Sequence, residues 1–128
     1  MSNPAALFRA LADETRLYML ALMRQNGELC VCDLEIVLQI GQSKASRHLR
    51  YLLNAGLVQD RRAAVWIYYR IAGELSPAQR SILDSVEQLL DAEKMRVLNL
   101  KLAEWREQKS CGVTREASTS RIAARERA

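Results

Sequence analysis

The sequence predicts a mostly α-helical fold with one small β-hairpin. Leu, Ala, Arg and Glu dominate the composition, and only five of the 128 residues are Gly and one is Phe, which favours helices over an extensive sheet. Strand-forming residues concentrate in two neighbouring segments, 57–61 and 65–70. With 49% hydrophobic and 27% charged residues, the chain is expected to bury a core as one globular domain.

Residues 3–26 predict two helices that separate near Asp13. Apolar residues recur at helical spacing on both sides of this point, and Asp13-Glu14-Thr15-Arg16 is typical of a helix N-terminal turn. Gly27 is expected to end the second helix. The apolar faces of both helices are assigned to the core.

A third helix is predicted to begin within Glu28-Leu29-Cys30-Val31-Cys32-Asp33-Leu34. With Cys30 as the N-cap, Asp33 stands where an acidic side chain can accept a hydrogen bond from the N-cap N–H. Leu29 and Leu34 then occupy the two positions of a hydrophobic staple. Cysteine therefore occupies the N-cap position, where Ser or Asp is normally found.

A fourth helix is predicted over residues 44–54, after a short break. Its cap is either Gly41 or Ser43, and Gly56 is placed to end it. Two helices joined by such a tight turn predict a helix-turn-helix.

The hairpin strands are separated by residues 62–64, which lack the Gly or Asn that a tight turn prefers. Arg61 and Arg62 are expected at this turn. The hairpin would thus form a basic wing beside the helix-turn-helix.

Ser76 and Pro77 predict the start of a long helix that continues to about Trp105. Its apolar stripe is longer than a small core can cover, so part of it is expected to pack against a second copy. The predicted fold is therefore a winged helix-turn-helix (α-α-α-α-β-β-α) that forms a homodimer through its terminal helices. Residues 1–109 are assigned to this domain, and residues 110–128 to a flexible basic C-terminal tail.

The net charge of +4 suits a polyanionic partner. In a helix-turn-helix, the start of the second helix enters the major groove of DNA. A solvated polar face is the alternative interpretation of this segment, and the lone His48 is more typical of packing or backbone contact than of metal binding. The predicted contacts to double-stranded DNA are Gln42, Ser43, Lys44, Ser46, Arg47, His48, Arg61 and Arg62.

No stretch approaches the roughly 20 apolar residues that span a bilayer, and the N-terminus lacks the features of a signal peptide. We therefore expect a cytoplasmic protein with no membrane partner. Three cysteines in such a chain are expected to be reduced thiols instead of a disulfide framework.

Five segments in order along the chain match the pattern of a known family: Leu11-Ala12-Asp13-Glu14-Thr15-Arg16-Leu17, Glu28 to Leu34, Ser46-Arg47-His48-Leu49, Ala55-Gly56-Leu57-Val58 and Tyr69-Arg70. Through these segments, about residues 5–105 resemble the ArsR/SmtB family of winged-helix metalloregulatory repressors. The resemblance implies a homodimer that occupies an operator overlapping its own promoter and leaves when a toxic metal or metalloid binds. The Cys-Val-Cys segment is similar to the inducer site of arsenical-responsive members and of cadmium/lead-responsive ones.

Trivalent arsenic or antimony is satisfied by three sulfurs, and Cys30 with Cys32 provides two. Arsenical-responsive members often carry another cysteine three residues further on, where this chain has Glu35. Cys111, from the same or the partner subunit, is the candidate third ligand. If Cys111 is uninvolved, the pair suits an organoarsenical such as methylarsenite. No organic cofactor is expected.

The sequence thus predicts a repressor that dissociates from DNA when arsenite, antimonite or an organoarsenical binds the thiolates. In a regular helix, residues two apart do not face each other. Either the N-cap position of Cys30 removes this constraint, or the first helical turn distorts when an ion bridges the two thiols. Such a distortion would displace the segment 42–47.

Other functions are less consistent with the residues. A cadmium/lead site would need a further ligand, and the zinc site of other branches would need histidines on the last helix. A thiol-redox-responsive repressor is disfavoured because cysteines two apart are poorly spaced for a disulfide. An enzyme that uses Cys and His48 lacks an oriented base or oxyanion arrangement, so we expect no catalysis.

Overall fold

The computed structural model describes residues 3–116, and for residues 110–116 it describes the backbone alone. This part of the chain confirms the predicted fold class, a mostly helical winged helix-turn-helix with a small antiparallel sheet. No helix in it has the length and apolar character needed to span a membrane. The elements in chain order are α1 (Pro4–Leu11), α2 (Glu14–Asn26), β1 (Leu29–Cys30), α3 (Val31–Leu38), α4 (Gln42–Asn54), β2 (Val58–Ala63), β3 (Trp66–Ile71), α5 (Pro77–Leu89) and α6 (Ala92–Glu116).

The first two helices begin and end as predicted. Asp13 is the N-cap of α2, and its Oδ1 accepts a hydrogen bond from the Arg16 N–H at 3.1 Å. Gly27 ends the helix with φ 80°, a conformation that side chains with a Cβ rarely adopt.

The helix-turn-helix consists of α3 and α4. Cys30 is the N-cap of α3, as predicted, whereas α4 begins two residues before the predicted start, with Gly41 as its N-cap. Gly56, at φ 79°, donates its N–H to the Leu53 carbonyl at 3.0 Å. This bond satisfies one of the last carbonyls of α4, so the predicted helix end is confirmed.

The sheet differs from the prediction in two ways. β1 was not predicted, and it pairs antiparallel with β3, so the sheet has three strands in the order β1-β3-β2. The expected position of Arg61 and Arg62 at the hairpin turn is wrong, because both lie within β2 and pair with β3 residues. Ala64 adopts φ 58°, which permits a shorter turn, at Ala64 and Val65, than the expected three residues.

The single long helix predicted from Ser76 to about Trp105 is also wrong, because the chain breaks at Leu90 and Asp91. Leu90 is extended (ψ 153°), and the Asp91 carboxylate accepts from the N–H groups of Glu93 and Lys94 at 2.9 and 3.1 Å. Asp91 thus caps a new helix, α6, which continues beyond residue 110, where the tail was expected to begin. Residues 117–128 of the predicted tail lie outside the described residues.

The core is centred on α2, which contributes four of the largest fully buried side chains, Met19, Leu20, Leu22 and Met23. Leu34 of α3 and Leu49 of α4 complete the core beneath the helix-turn-helix. α3 also packs against α6. The start of α3 therefore lies between α4 and the terminal helix α6.

Candidate thiol site and DNA-binding surface

Cys30 and Cys32 form a thiol pair at the start of α3, with their Sγ atoms 2.9 Å apart. Cys30 is buried and Cys32 is half-buried. Cys30 is the N-cap and has extended backbone angles (φ −78°, ψ 154°). The rule that residues two apart in a helix do not face each other therefore does not apply to its side chain. The two thiols therefore meet without any distortion of the first helical turn.

The two thiols share a hydrogen bond that shifts their pKa values in opposite directions. Cys32 Sγ donates to Cys30 Sγ, and this bond lowers the pKa of Cys30 and raises the pKa of Cys32. Because the thiolate is the nucleophile and the metal ligand, Cys30 is the sulfur prepared to attack a soft ion first.

The buried carboxylate of Asp33 connects this helix start to α6. Its Oδ2 accepts from the Cys30 N–H at 2.8 Å, which confirms the predicted cap interaction. Its Oδ1 accepts from Trp105 Nε1 at 2.8 Å and from Lys109 Nζ at 2.6 Å. Lys109 Nζ also lies 3.9 Å from Cys32 Sγ. We refer to Asp33, Trp105 and Lys109 as the Asp33 cluster.

The sequence did not indicate that Trp105 and Lys109 belong to this site. They lie four residues apart on α6 and thus on one face of that helix, but their partner is more than 70 positions away. Only the acidic residue at Asp33 was identifiable, through its local capping role.

The donor set suits a soft ion but is incomplete as described. Thiolates select soft ions over hard ones. Among the described residues, no group of three or more His, Cys, Asp or Glu side chains could hold a metal ion. Glu35, at the position of the additional cysteine, is half-buried, and burial raises its pKa. The side chain of Cys111, the predicted third ligand, lies outside the described residues.

A cleft of about 470 Å³ opens beside the thiol pair. It is bounded by the start of α3, by one side of α4 and by the hairpin, so a ligand on the thiols shares its surroundings with the helix-turn-helix. Its lining residues are Cys30, Val31, Cys32, Glu35, Gln42, Ser46, Arg50, Val65, Trp66, Ile67 and Tyr69.

The first two turns of α4 present most of the predicted DNA-contacting residues to solvent. Gln42, Ser43, Lys44 and Arg47 are exposed. Ser46 is half-buried, and its hydroxyl accepts from Gln42 Nε2 at 3.1 Å. Gln42 and Ser46 also line the cleft beside the thiols. The start of α4 therefore belongs both to this cleft and to the predicted DNA-binding surface.

The two wing arginines differ from each other. Arg62 is exposed on β2. Arg61 donates two hydrogen bonds to the carboxylate of Glu28, at 2.9 and 2.6 Å, and its guanidinium lies 4.8 Å from the centre of the Tyr68 ring. Arg61 is therefore held against the segment that leads into the thiol pair.

His48 does not lie on the exposed face of α4, in contrast to the other predicted contacts. It is 9% exposed, and its Nδ1 lies 3.1 Å from Arg16 Nη1 and 4.0 Å from Asp13 Oδ1. Burial lowers the pKa of His48, so the neutral ring can accept a hydrogen bond from Arg16. This position assigns His48 to the packing beneath α4, which corrects its predicted role as a DNA contact.

Arg16 lies at the centre of this buried group. Its Nε donates to the Ala10 carbonyl at 2.7 Å and its Nη2 to the Arg9 carbonyl at 3.1 Å. Its guanidinium also lies 4.1 Å from the centre of the Tyr51 ring on α4. We refer to Asp13, Arg16 and His48 as the Arg16 cluster, which joins α1, α2 and α4.

A second, apolar cleft of about 520 Å³ lies between α1, α2 and α5. Phe8 and Leu89 line it and are 57% and 84% exposed. Exposed apolar surface of this kind is typical of a protein interface.

Comparison with known proteins assigns the family. Residues 13–60 match the model for bacterial regulatory proteins of the arsR family. The chain is 37% identical over 102 residues to the arsenic resistance transcriptional regulator ArsR1 of Pseudomonas putida, a match that covers 77% of this chain and 80% of that protein. The chain belongs to the ArsR family. This finding confirms the family inferred from the sequence.

Two further similar proteins agree with this assignment. The arsenical resistance operon repressor of Escherichia coli is 40% identical over 100 residues, covering 78% of this chain and 85% of that protein. A homodimeric winged helix-turn-helix DNA-binding domain from Mycobacterium bovis has a TM-score of 0.58 at 34% identity, covering 67% of this chain and 76% of that one. The protein is therefore an ArsR-type transcriptional repressor.

Proposed function

We propose that this ArsR-type repressor binds operator DNA as a homodimer and dissociates when trivalent arsenic or antimony binds Cys30 and Cys32. The observation that carries the proposal is the 2.9 Å separation of the two Sγ atoms, in a cleft that the recognition helix α4 also lines. The relatives named as arsenic resistance regulators support the choice of ion.

The ion binds by ligand exchange without a change of oxidation state. Each thiol replaces one hydroxide on arsenic, one As–O bond breaks for each As–S bond formed, and the thiol proton leaves with the hydroxide as water. Cys30, with its lowered pKa, attacks first, and Cys32 closes the chelate. When the ion carries no organic group, Cys111 is the candidate for its third sulfur ligand.

Ion binding is transmitted to DNA through the start of α3, which carries both thiols. Two As–S bonds to one ion replace the hydrogen bond between the sulfurs and fix the positions of Cys30 and Cys32 relative to each other. Cys30 also supplies the N–H that Asp33 caps, so the start of α3 shifts and moves the neighbouring Gln42 and Ser46.

The operator is bound by the exposed start of α4 and by the hairpin. Lys44 and Arg47 are exposed where a helix-turn-helix enters the major groove, and Arg62 is exposed on the wing. The apolar cleft between α1, α2 and α5 is the proposed dimer surface, because it exposes large apolar side chains. A homodimer presents its two recognition helices to successive major grooves.

Operator release by arsenite tests the inducer site. Cys30→Ser and Cys32→Ser are expected to bind operator DNA as the wild type does but to remain bound when arsenite is added, as measured by gel shift. Cys111→Ser is tested beside them, and the number of thiols lost per bound arsenic in this variant and in the wild type shows whether Cys111 participates. Release that persists in both Cys30→Ser and Cys32→Ser would overturn the proposal.

The DNA-binding surface has its own test. Lys44→Ala or Arg47→Ala is expected to weaken operator binding and to reduce the salt dependence of the affinity by about one counterion each. Both variants should still elute as dimers in size exclusion chromatography. An unchanged affinity in both would exclude this face of α4 as the DNA contact.

A further inference from the structure

We propose that the cleft beside Cys30 and Cys32 is a subsite for the organic group of a trivalent arsenical, and that it suits an aryl group. This inference rests on the proposed function, since it concerns a substituent on the same bound arsenic. It extends that function from the ion to the class of molecule that carries it.

The number of donors leaves one position on arsenic for carbon. Trivalent arsenic forms three bonds, and the thiol pair forms two of them. Among the described side chains no third donor joins the pair to hold a metal ion. A monosubstituted arsenical, R–As(OH)₂, already carries its third bond to carbon, so the two thiols are sufficient to bind it.

The binding step is balanced without any oxidant or reductant. Both As–O bonds of R–As(OH)₂ break as two As–S bonds form, and the two hydroxides leave with the two thiol protons as two water molecules. The As–C bond remains intact. The organic group therefore stays on the arsenic and must occupy space beside the thiols.

The cleft provides that space on its apolar side. Val31 adjoins the thiols, and the hairpin contributes Val65, Trp66, Ile67 and Tyr69. The volume of about 470 Å³ exceeds the ~150 Å³ of a cavity that can hold benzene. It also falls within the ~300–1,000 Å³ range of small-molecule sites. An aryl ring thus fits beside the thiols, whereas a methyl group leaves most of the cleft unfilled.

The cleft is lined by α4 as well as by the hairpin. Gln42, Ser46 and Arg50 are its α4 residues, so a larger organic group can reach the recognition helix. A ring held between the hairpin and α4 contacts both DNA-binding elements at once. An aryl arsenical should therefore dissociate the repressor at lower concentration than a methyl arsenical.

Two probes separate the contribution of the cleft from that of the thiols. Methylarsonous and phenylarsonous acid form the same two As–S bonds and differ only in the organic group. Their operator-releasing concentrations are measured in the full-length Cys111→Ser protein, which removes any third thiol. A short peptide with the sequence Glu28 to Leu34 carries the same two thiols without the cleft. The ratio of its dissociation constants for the two probes gives the intrinsic preference of the thiols.

We expect the protein to favour the phenyl probe over the methyl probe by roughly tenfold more than the peptide does, as expected for burial of one aromatic ring. Trp66→Ala and Ile67→Ala should each reduce that preference. Because both residues lie on the hairpin, the releasing concentrations of each variant are compared relative to its own operator affinity without an arsenical. Leu100→Ala, an exposed apolar residue on α6 outside the cleft, is the matched control and should leave the preference unchanged.

Each failure has a distinct meaning. If the methyl probe releases the operator but the protein shows the same preference as the peptide, the aryl subsite is overturned and the thiol switch stands. A phenyl preference that survives both cleft substitutions also overturns the subsite. If neither probe nor arsenite releases the wild-type protein, the proposed function itself fails.

Discussion

The two helices of the helix-turn-helix are held by two polar clusters that differ in their relation to the thiols. The Arg16 cluster joins α4 to α1 and α2 through the buried contact between Arg16 and His48. The Asp33 cluster joins α3 to α6, and Asp33 also accepts the N–H of Cys30. Only the Asp33 cluster includes a contact with the thiol pair, so an ion bound there can disturb α3 while the Arg16 cluster still holds the far side of α4.

The largest expected effect comes from removing Arg16. Arg16→Met removes the donor to the Ala10 carbonyl and the His48 ring and one of the two donors to the Arg9 carbonyl, which should lower the free energy of unfolding by about 3 kcal/mol. Arg9→Met, at an exposed arginine of the same region, is the matched control and should change it by less than about 0.5 kcal/mol. Equal losses of the free energy of unfolding in the two variants, measured by urea denaturation, would show that the Arg16 cluster does not hold α4 against α1 and α2.

A smaller effect is expected for the other cluster. Asp33→Ala removes the cap of the Cys30 N–H and the acceptor of Trp105 and Lys109, and should lower the free energy of unfolding by about 2 kcal/mol. Trp105 should also become more solvated, seen as a red shift of its emission in a Trp66→Phe background. Glu104→Ala, at an exposed acid of α6, is the control. A stability loss without any shift in emission would show that Asp33 does not hold α6.

The smallest predicted effect is a pH dependence from His48. Burial, reinforced by Arg16 and opposed by Asp13, lowers the pKa of His48. As the pH falls through about 6.5, the unfolded chain binds this proton before the folded protein does, so stability declines with acidity. His48→Gln, which can still accept from Arg16, should reduce that decline between pH about 7.5 and about 5.5. An identical decline in both proteins would contradict the buried, neutral role of His48.

Operator binding by the same variant sharpens the contrast between α4 residues. His48 lies beneath the helix, so His48→Gln should keep its operator affinity at neutral pH, in contrast to Arg47→Ala. A gel shift under matched salt compares the two. A similar loss in both would return His48 to the DNA-contacting face.

The parts of the fold that depend on neighbouring residues could be predicted from sequence. Asp13, Cys30 with Asp33, and Ser76 with Pro77 all stand at helix starts because each cap is formed by residues within a few positions. Contacts between segments that are distant in the chain leave no comparable local pattern in the sequence. Neither the pairing of β1 with β3 nor the bond from Trp105 to Asp33 could be inferred locally.

Two errors have different physical origins. The break at Asp91 was identifiable, because Asp is a favoured N-cap, but the apolar stripe continues across α5 and α6 and concealed it. The turn position was not identifiable, because Ala64 adopts a left-handed conformation that usually requires Gly or Asn. The thiol pair itself could be predicted, whereas its contacts with α6 and the cleft required the three-dimensional arrangement.

Amide hydrogen exchange with and without arsenite tests the central claim most directly, because it follows α3 and α4 in the same molecule. Binding at the thiol pair is expected to change exchange at residues 30–35 and at the start of α4, residues 42–46, and to leave the amides of Asp13 and Arg16 unchanged. A Cys30→Ser/Cys32→Ser protein should show no change in any of these segments. Operator release by arsenite without altered exchange at residues 42–46 would contradict the transmission from the thiols to the recognition helix.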